Sequence, residues 1–96
     1  MGDQGVHVGG QSVAGAVPPA VLADLRRAFA GEVRRRLPRL TAGSDLEAAR
    51  RDAHALASGA WIVGEPEIAR LARQVESALP EGPVGELVEA LSRYVA

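Results

Sequence analysis

The chain contains no cysteine and no lysine; all eleven of its basic residues are arginine. Without thiols there is no disulfide framework and no thiolate metal site, and the composition suits a reducing compartment. Arginine alone, in a chain rich in alanine and glycine, is a mark of GC-rich coding rather than of function. Aromatic residues are scarce: Phe29, Trp61 and Tyr94 are the only three. A core must then be assembled from Leu, Val, Ile and Ala, which favours closely packed helices. No apolar run approaches the roughly 18 residues of a membrane-spanning helix. The N-terminus lacks the basic start and apolar segment of a secretory signal. A cytoplasmic protein with no membrane attachment is expected. The net charge of −1 excludes a chain that binds nucleic acid through its overall charge.

What is present is a single domain's worth of sequence, 96 residues. Met1 to Val17 is rich in Gly, Gln and Ser and has no apolar periodicity, so residues 1–17 are expected to be a disordered N-terminal tail. His7 lies there without metal-ligating neighbours. Residues 18–96 are different. Pro18-Pro19 opens a helix at the position where proline costs least. Leu22, Leu25, Phe29, Val33, Leu37 and Leu40 then recur at steps of three and four. Pro38 lies near the end of this pattern, so the helix is expected to kink there or to stop a residue or two earlier, with Gly43 closing the segment as a left-handed C-terminal residue.

Ser44-Asp45-Leu46-Glu47 reads as a capping box that starts a second helix, with Ser44 as the cap. Its apolar stripe is Leu46, Ala49, Ala53, Leu56, Ala60 and Val63, and Gly64 ends it. Glu65-Pro66-Glu67 restarts the chain, with acids at the positive end of the helix dipole. Ile68, Leu71, Ala72, Val75 and Leu79 form a third stripe. After the break at Pro80-Glu81-Gly82-Pro83, Val84, Leu87, Val88, Leu91 and Val95 form a fourth. Four single-faced helices on short connections predict an all-α, antiparallel up-down four-helix bundle. Arg34-Arg35-Arg36 with Arg39 is the densest charge cluster. It lacks aromatic partners and has Glu32 beside it, so it reads as a solvated helix face rather than a nucleic-acid patch.

The chemistry concentrates on the second helix. Glu47, Arg50, Arg51, His54, Ser58 and Trp61 share a face away from the apolar stripe. His54 therefore points outward, with two arginines one turn before it and small side chains one turn after. Around it, His54, Leu56 two residues later, the small run Ala57-Ser58-Gly59-Ala60 and Gly64 ten residues later resemble the motif of histidine-containing phosphotransfer (HPt) domains. Asp45-Leu46 and Ala53 upstream, and Leu71 with Val75-Glu76 downstream, are similar to the family as well.

The resemblance implies a phosphoryl carrier rather than a complete enzyme. His54 would be the phospho-acceptor, and Glu76 on the third helix the acceptor that orients its imidazole. The partners would be a response-regulator receiver domain, a hybrid histidine kinase, or both. The chain itself would bind no metal and act as a monomer, and Mg²⁺ would sit on the partner receiver. Two positions depart from the family: Ala57 stands where it usually has lysine, and Ser58 where it usually has glycine. The lysine is associated with offsetting phosphoryl charge, so Arg50 and Arg51 are expected to supply that charge. The binding face would then comprise Arg50, Arg51, Ala57, Ser58 and Trp61. The same departures keep open the alternative of a degenerate module that binds receivers or kinases without phosphotransfer.

Overall fold

The computed structural model describes residues 13–43 and 45–96. Four helices follow one another: α1 (Pro19–Ala42), α2 (Leu46–Ile62), α3 (Pro66–Ala78) and α4 (Val84–Val95). Among the described residues there is no strand. Each helix packs against its neighbour in the chain, and α4 closes the ring by packing against α1. The result is an all-α, antiparallel up-down four-helix bundle, because connections this short reverse the chain at every step.

The helix ends show how local chemistry sets the architecture. Pro38 neither stops α1 nor marks its end; the helix runs on to Ala42. Residues beyond the proline are held from the side, since Leu40 is buried and Arg39 is bound across the bundle. Gly43 then closes the helix at φ 64°, its N–H donating to the Arg39 carbonyl at 3.2 Å. The cap of α2 is Asp45 rather than Ser44, which lies outside the described residues. The Asp45 carboxylate accepts from the N–H groups of Glu47 (3.0 Å) and Ala48 (3.2 Å), and its charge suits the positive end of the helix. At the other end, Gly64 sits at φ 79°. Its N–H donates to Trp61 and that of Glu65 donates to Ala60, a paired closure that needs a left-handed residue between. This turn sends α3 back along α2.

The expected stripes meet in one core of Phe29, Val33, Ala53, Leu56, Ala60, Val63, Leu71, Ala72, Val75, Leu87 and Leu91, with smaller contributions around them. Leu22, half-buried, and Leu46, at 48% exposure, stay outside it. Leu46 stands in the first turn of α2, on the rim of a groove with Leu40, Leu79 and Val84. Of the expected tail, only its last residues are described. Val13–Ala16 form a 3-10 turn that approaches α2, a structure that needs only local hydrogen bonds. The remainder of the expected tail, residues 1–12, lies outside the described residues.

Two contacts tie α1 to α2. Gly59 of α2 faces the ring of Phe29, and a Cβ at position 59 would stand 2.7 Å from Phe29 Cδ1. That ring cannot retreat freely, because Tyr94 of α4 meets it edge-on at 5.2 Å. The second contact is ionic. Asp52 is 2% exposed, and it accepts from Arg36 Nη1 at 2.6 Å, Arg39 Nη2 at 2.6 Å and Arg39 Nε at 3.1 Å. The arginine cluster of α1 is therefore not simply a solvated face. Arg34 and Arg35 are exposed and stay clear of the core, whereas Arg36, partly covered, and Arg39, itself largely exposed, direct their guanidinium groups to the buried carboxylate, which must be paired.

Burial by itself pushes the Asp52 carboxyl up, but the hydrogen bonds from Arg39 and Arg36 outweigh it and hold it below its usual range. Glu32 is likewise held down by Arg36 and Arg35. A carboxyl whose folded pKa is depressed stabilises the fold fully above its unfolded value, about 4, and loses that contribution as pH falls through the folded value. The melting temperature is accordingly expected to fall as pH drops below about 4. Asp52→Asn is expected to lose about 2 kcal/mol at pH 7, the scale of hydrogen bonds to a charged group, and to show a flatter acid limb. A denaturant titration at several pH values checks both. For Gly59→Ala, overpacking of about 1–3 kcal/mol opposes a helix-propensity gain of about 1 kcal/mol. The variant is expected to melt lower than wild type, and Phe29→Leu in the same chain to recover part of the loss.

Candidate functional site

Because α2 is clamped to α1 on one side and packed along α3 on another, its remaining face is presented in a fixed orientation. Glu47, Arg50, Arg51, His54 and Ser58 are exposed on it, while Trp61 is half-buried against the core. His54 lies at the middle of the helix with 67% of its side chain exposed. Its Nδ1 is 2.8 Å from Oε2 of Glu76, which α3 brings alongside and leaves 28% exposed.

This contact divides the work of the two ring nitrogens. A carboxylate can only accept a hydrogen bond, so Nδ1 carries the proton and donates it to Glu76. In the neutral ring, Nε2 then holds an unshared pair directed away from Glu76. That is the arrangement of a nucleophile whose tautomer and orientation are both held by one neighbour. The remaining groups are arranged around it. Arg50 donates to Glu47 at 3.3 Å, and Arg51 is exposed one turn before His54. Ser58 is exposed one turn after it. Ala57 does not belong to the exposed face; at 1% exposure it lies in the core, because its position falls on the side of α2 that packs inward. It cannot contribute a contact surface. Among the described residues, no group of three or more His, Asp or Glu side chains is placed to hold a metal ion.

A helical bundle with an exposed, oriented histidine at the centre of its second helix has a counterpart among family models. The Hpt domain model matches residues 19–95. The chain belongs to the Hpt domain family. No curated protein and no solved structure matches it. As an Hpt domain it takes part in histidine phosphotransfer in two-component signalling, in a family of phosphoryl carriers that interact with receiver domains or kinases. No helix of the described residues is long and apolar enough to cross a membrane.

Of the residues singled out in the sequence, the fold brings His54, Glu76, Arg51 and Ser58 to one region and removes Ala57 from it. The residue that sequence reasoning passed over is Asp52. Its signal was present: it stands three residues after Ala49 and four before Leu56, so it interrupts an apolar stripe with a charge. A charge at such a position implies a partner on a facing helix, and the arginines of α1 were the available supply.

The His54–Glu76 contact predicts a measurable tautomer. Long-range ¹H–¹⁵N spectra of the neutral protein are expected to show His54 protonated at Nδ1. Glu76→Gln, whose amide oxygen still accepts, is expected to preserve that state, and Glu76→Ala to lose the preference.

Proposed function

We propose that the chain is a transfer-competent phosphoryl carrier and that Nε2 of His54 is the phospho-acceptor. The observation that carries this reading is the 2.8 Å contact from Nδ1 to Glu76 on an otherwise exposed ring. In transfer from a receiver, the unshared pair of Nε2 forms the N–P bond while the P–O bond of the aspartyl phosphate breaks. The aspartate leaves with that electron pair, and the Nδ1 proton stays on the ring, shared with Glu76. Positive charge developing on the imidazole is stabilised by the Glu76 carboxylate, an interaction made more strongly in the transition state than before it. The reverse transfer uses the same groups. In this reading the aspartate and the magnesium ion that offsets its charge belong to the receiver.

Transfer needs direct approach to Nε2, so the receiver docks over Arg51, His54, Ser58 and the exposed edge of Trp61. The protein works as a cytoplasmic monomer between a receiver and a hybrid kinase or second receiver. A second reading, a module that binds receivers without carrying phosphate, is favoured by one observation: the Ser58 side chain is exposed beside His54, where it narrows the approach.

Incubation with a panel of radiolabelled phospho-receivers separates the two. Wild type is expected to take up acid-labile phosphate, His54→Gln to take up none, and Glu76→Ala to slow by about 10-fold or more, the scale of one hydrogen bond to a charged group. Trp61 is the sole tryptophan, so its fluorescence is expected to change on binding the cognate receiver. Uptake by Ser58→Gly but not by wild type would establish the binding-module reading.

A further inference from the structure

A phosphoryl group on His54 brings about two negative charges to this face, by analogy with other phosphorylated side chains. The face already holds the Glu76 carboxylate beside the ring. Some cation must offset the arriving charge, and α2 supplies less than its sequence suggests. Arg50 is engaged with Glu47, and position 57, one turn after the histidine, is an alanine buried in the core. That leaves Arg51 on one side of His54 and no charge from α2 on the other.

The register of the α2–α3 hairpin fills the second side. The two helices run antiparallel from the turn at Gly64 and Glu65, and the His54–Glu76 contact fixes how they align. Each step toward the turn on α2 is matched by a step toward the turn on α3. Three steps from His54 is Ala57; three steps from Glu76 is Arg73. Arg73 is exposed, and it lies one turn from Glu76 on the same face of α3. Its neighbour Arg70 is held by Glu67 through two hydrogen bonds. Among the described residues, neither Arg51 nor Arg73 forms an ion pair. The two arginines therefore flank His54 from opposite ends, one on its own helix and one on the next.

We infer that Arg73 is a phosphoryl-binding residue of the His54 site, supplying from α3 the positive charge that α2 lacks after the histidine. This rests on the reading of His54 as phospho-acceptor. A guanidinium suits the task because its fork of donors pairs with two phosphoryl oxygens at once and it stays charged at every working pH. Placement on α3 also leaves the methyl of Ala57 free to pack in the core, so closeness of the helices and charge at the site are provided by different residues. Arg51 and Arg73 would close on the phosphoryl group from two sides while Nε2 holds it between them.

The test uses phosphoramidate as a small donor, so that receiver docking plays no part. The N–P bond to the donor's amine breaks, ammonia leaves after taking up a proton from solvent, and the new N–P bond forms at Nε2. Phosphohistidine is followed by ³¹P NMR in wild type, Arg73→Ala, Arg73→Lys and Arg51→Ala. Arg73→Ala is expected to take up phosphate about 10-fold more slowly, as for loss of one charge-assisted contact, with an unchanged melting curve. Arg73→Lys is expected to recover part of the rate, which a merely structural role would not produce. If wild type is phosphorylated and Arg73→Ala matches its rate within twofold, this inference is overturned and the assignment of His54 stands. If wild type takes phosphate from neither phosphoramidate nor any active receiver, the assignment of His54 fails and this inference with it.

Discussion

Asp52 is the one charged residue the described core encloses, and the arrangement of the site depends on how it is satisfied. A carboxylate removed from water costs several kcal/mol unless it is paired and hydrogen-bonded. Here Arg36 and Arg39 reach from α1 with three donors, and Glu32 in turn holds Arg36 at 2.7 Å. Arg36 is mostly covered, while Arg39 keeps more than half of its side chain in solvent, so the pair is only partly withdrawn from water. Such an ion pair adds less to stability than its short distances suggest. Its stronger effect is on geometry: α2 cannot rotate or slide against α1 without stranding a buried charge. His54 is two residues further along the same helix, so whatever fixes Asp52 inward fixes His54 outward.

The close approach at Gly59 acts in the same direction by different physics. A missing Cβ lets α2 lie against the Phe29 ring, and Tyr94 braces the ring from α4. Glycine at this place serves the bundle, whereas the neighbouring Ser58 faces outward. Small residues after the histidine therefore do two separate jobs: Ala57 and Gly59 admit neighbouring helices, and Ser58 shapes what reaches Nε2.

Much of this was legible in the residues themselves. Four apolar stripes at helical spacing, separated by Gly43, Gly64 and the Pro80–Pro83 segment, specify four helices, and their short links specify an up-down bundle. Local chemistry also fixed where helices end: Gly43 and Gly64 take positive φ because an L side chain there would meet the backbone. The outward direction of His54 follows from its offset from the Ala49–Ala53–Leu56 stripe. These are properties of a single helix, set by a period of 3.6 residues, and need no knowledge of what lies opposite.

What the tertiary structure alone decided are the relations between helices. Periodicity names a buried face but not its partner, so the role of Asp52 is visible only where α1 places Arg36 and Arg39 against it. By local rules Pro38 should kink a helix or end it, and α1 continues to Ala42 because Leu40 and Arg39 are held from across the bundle. Ala57 counted as part of the histidine's face by analogy with a motif, but the packing of the neighbouring helices puts it in the core. Glu76 could be named from sequence as an acceptor, but only the α2–α3 register brings its carboxylate to 2.8 Å from Nδ1. The same register sets Arg73 opposite Ala57. Distances across a bundle depend on how facing side chains interlock, and no stretch of one helix contains that information.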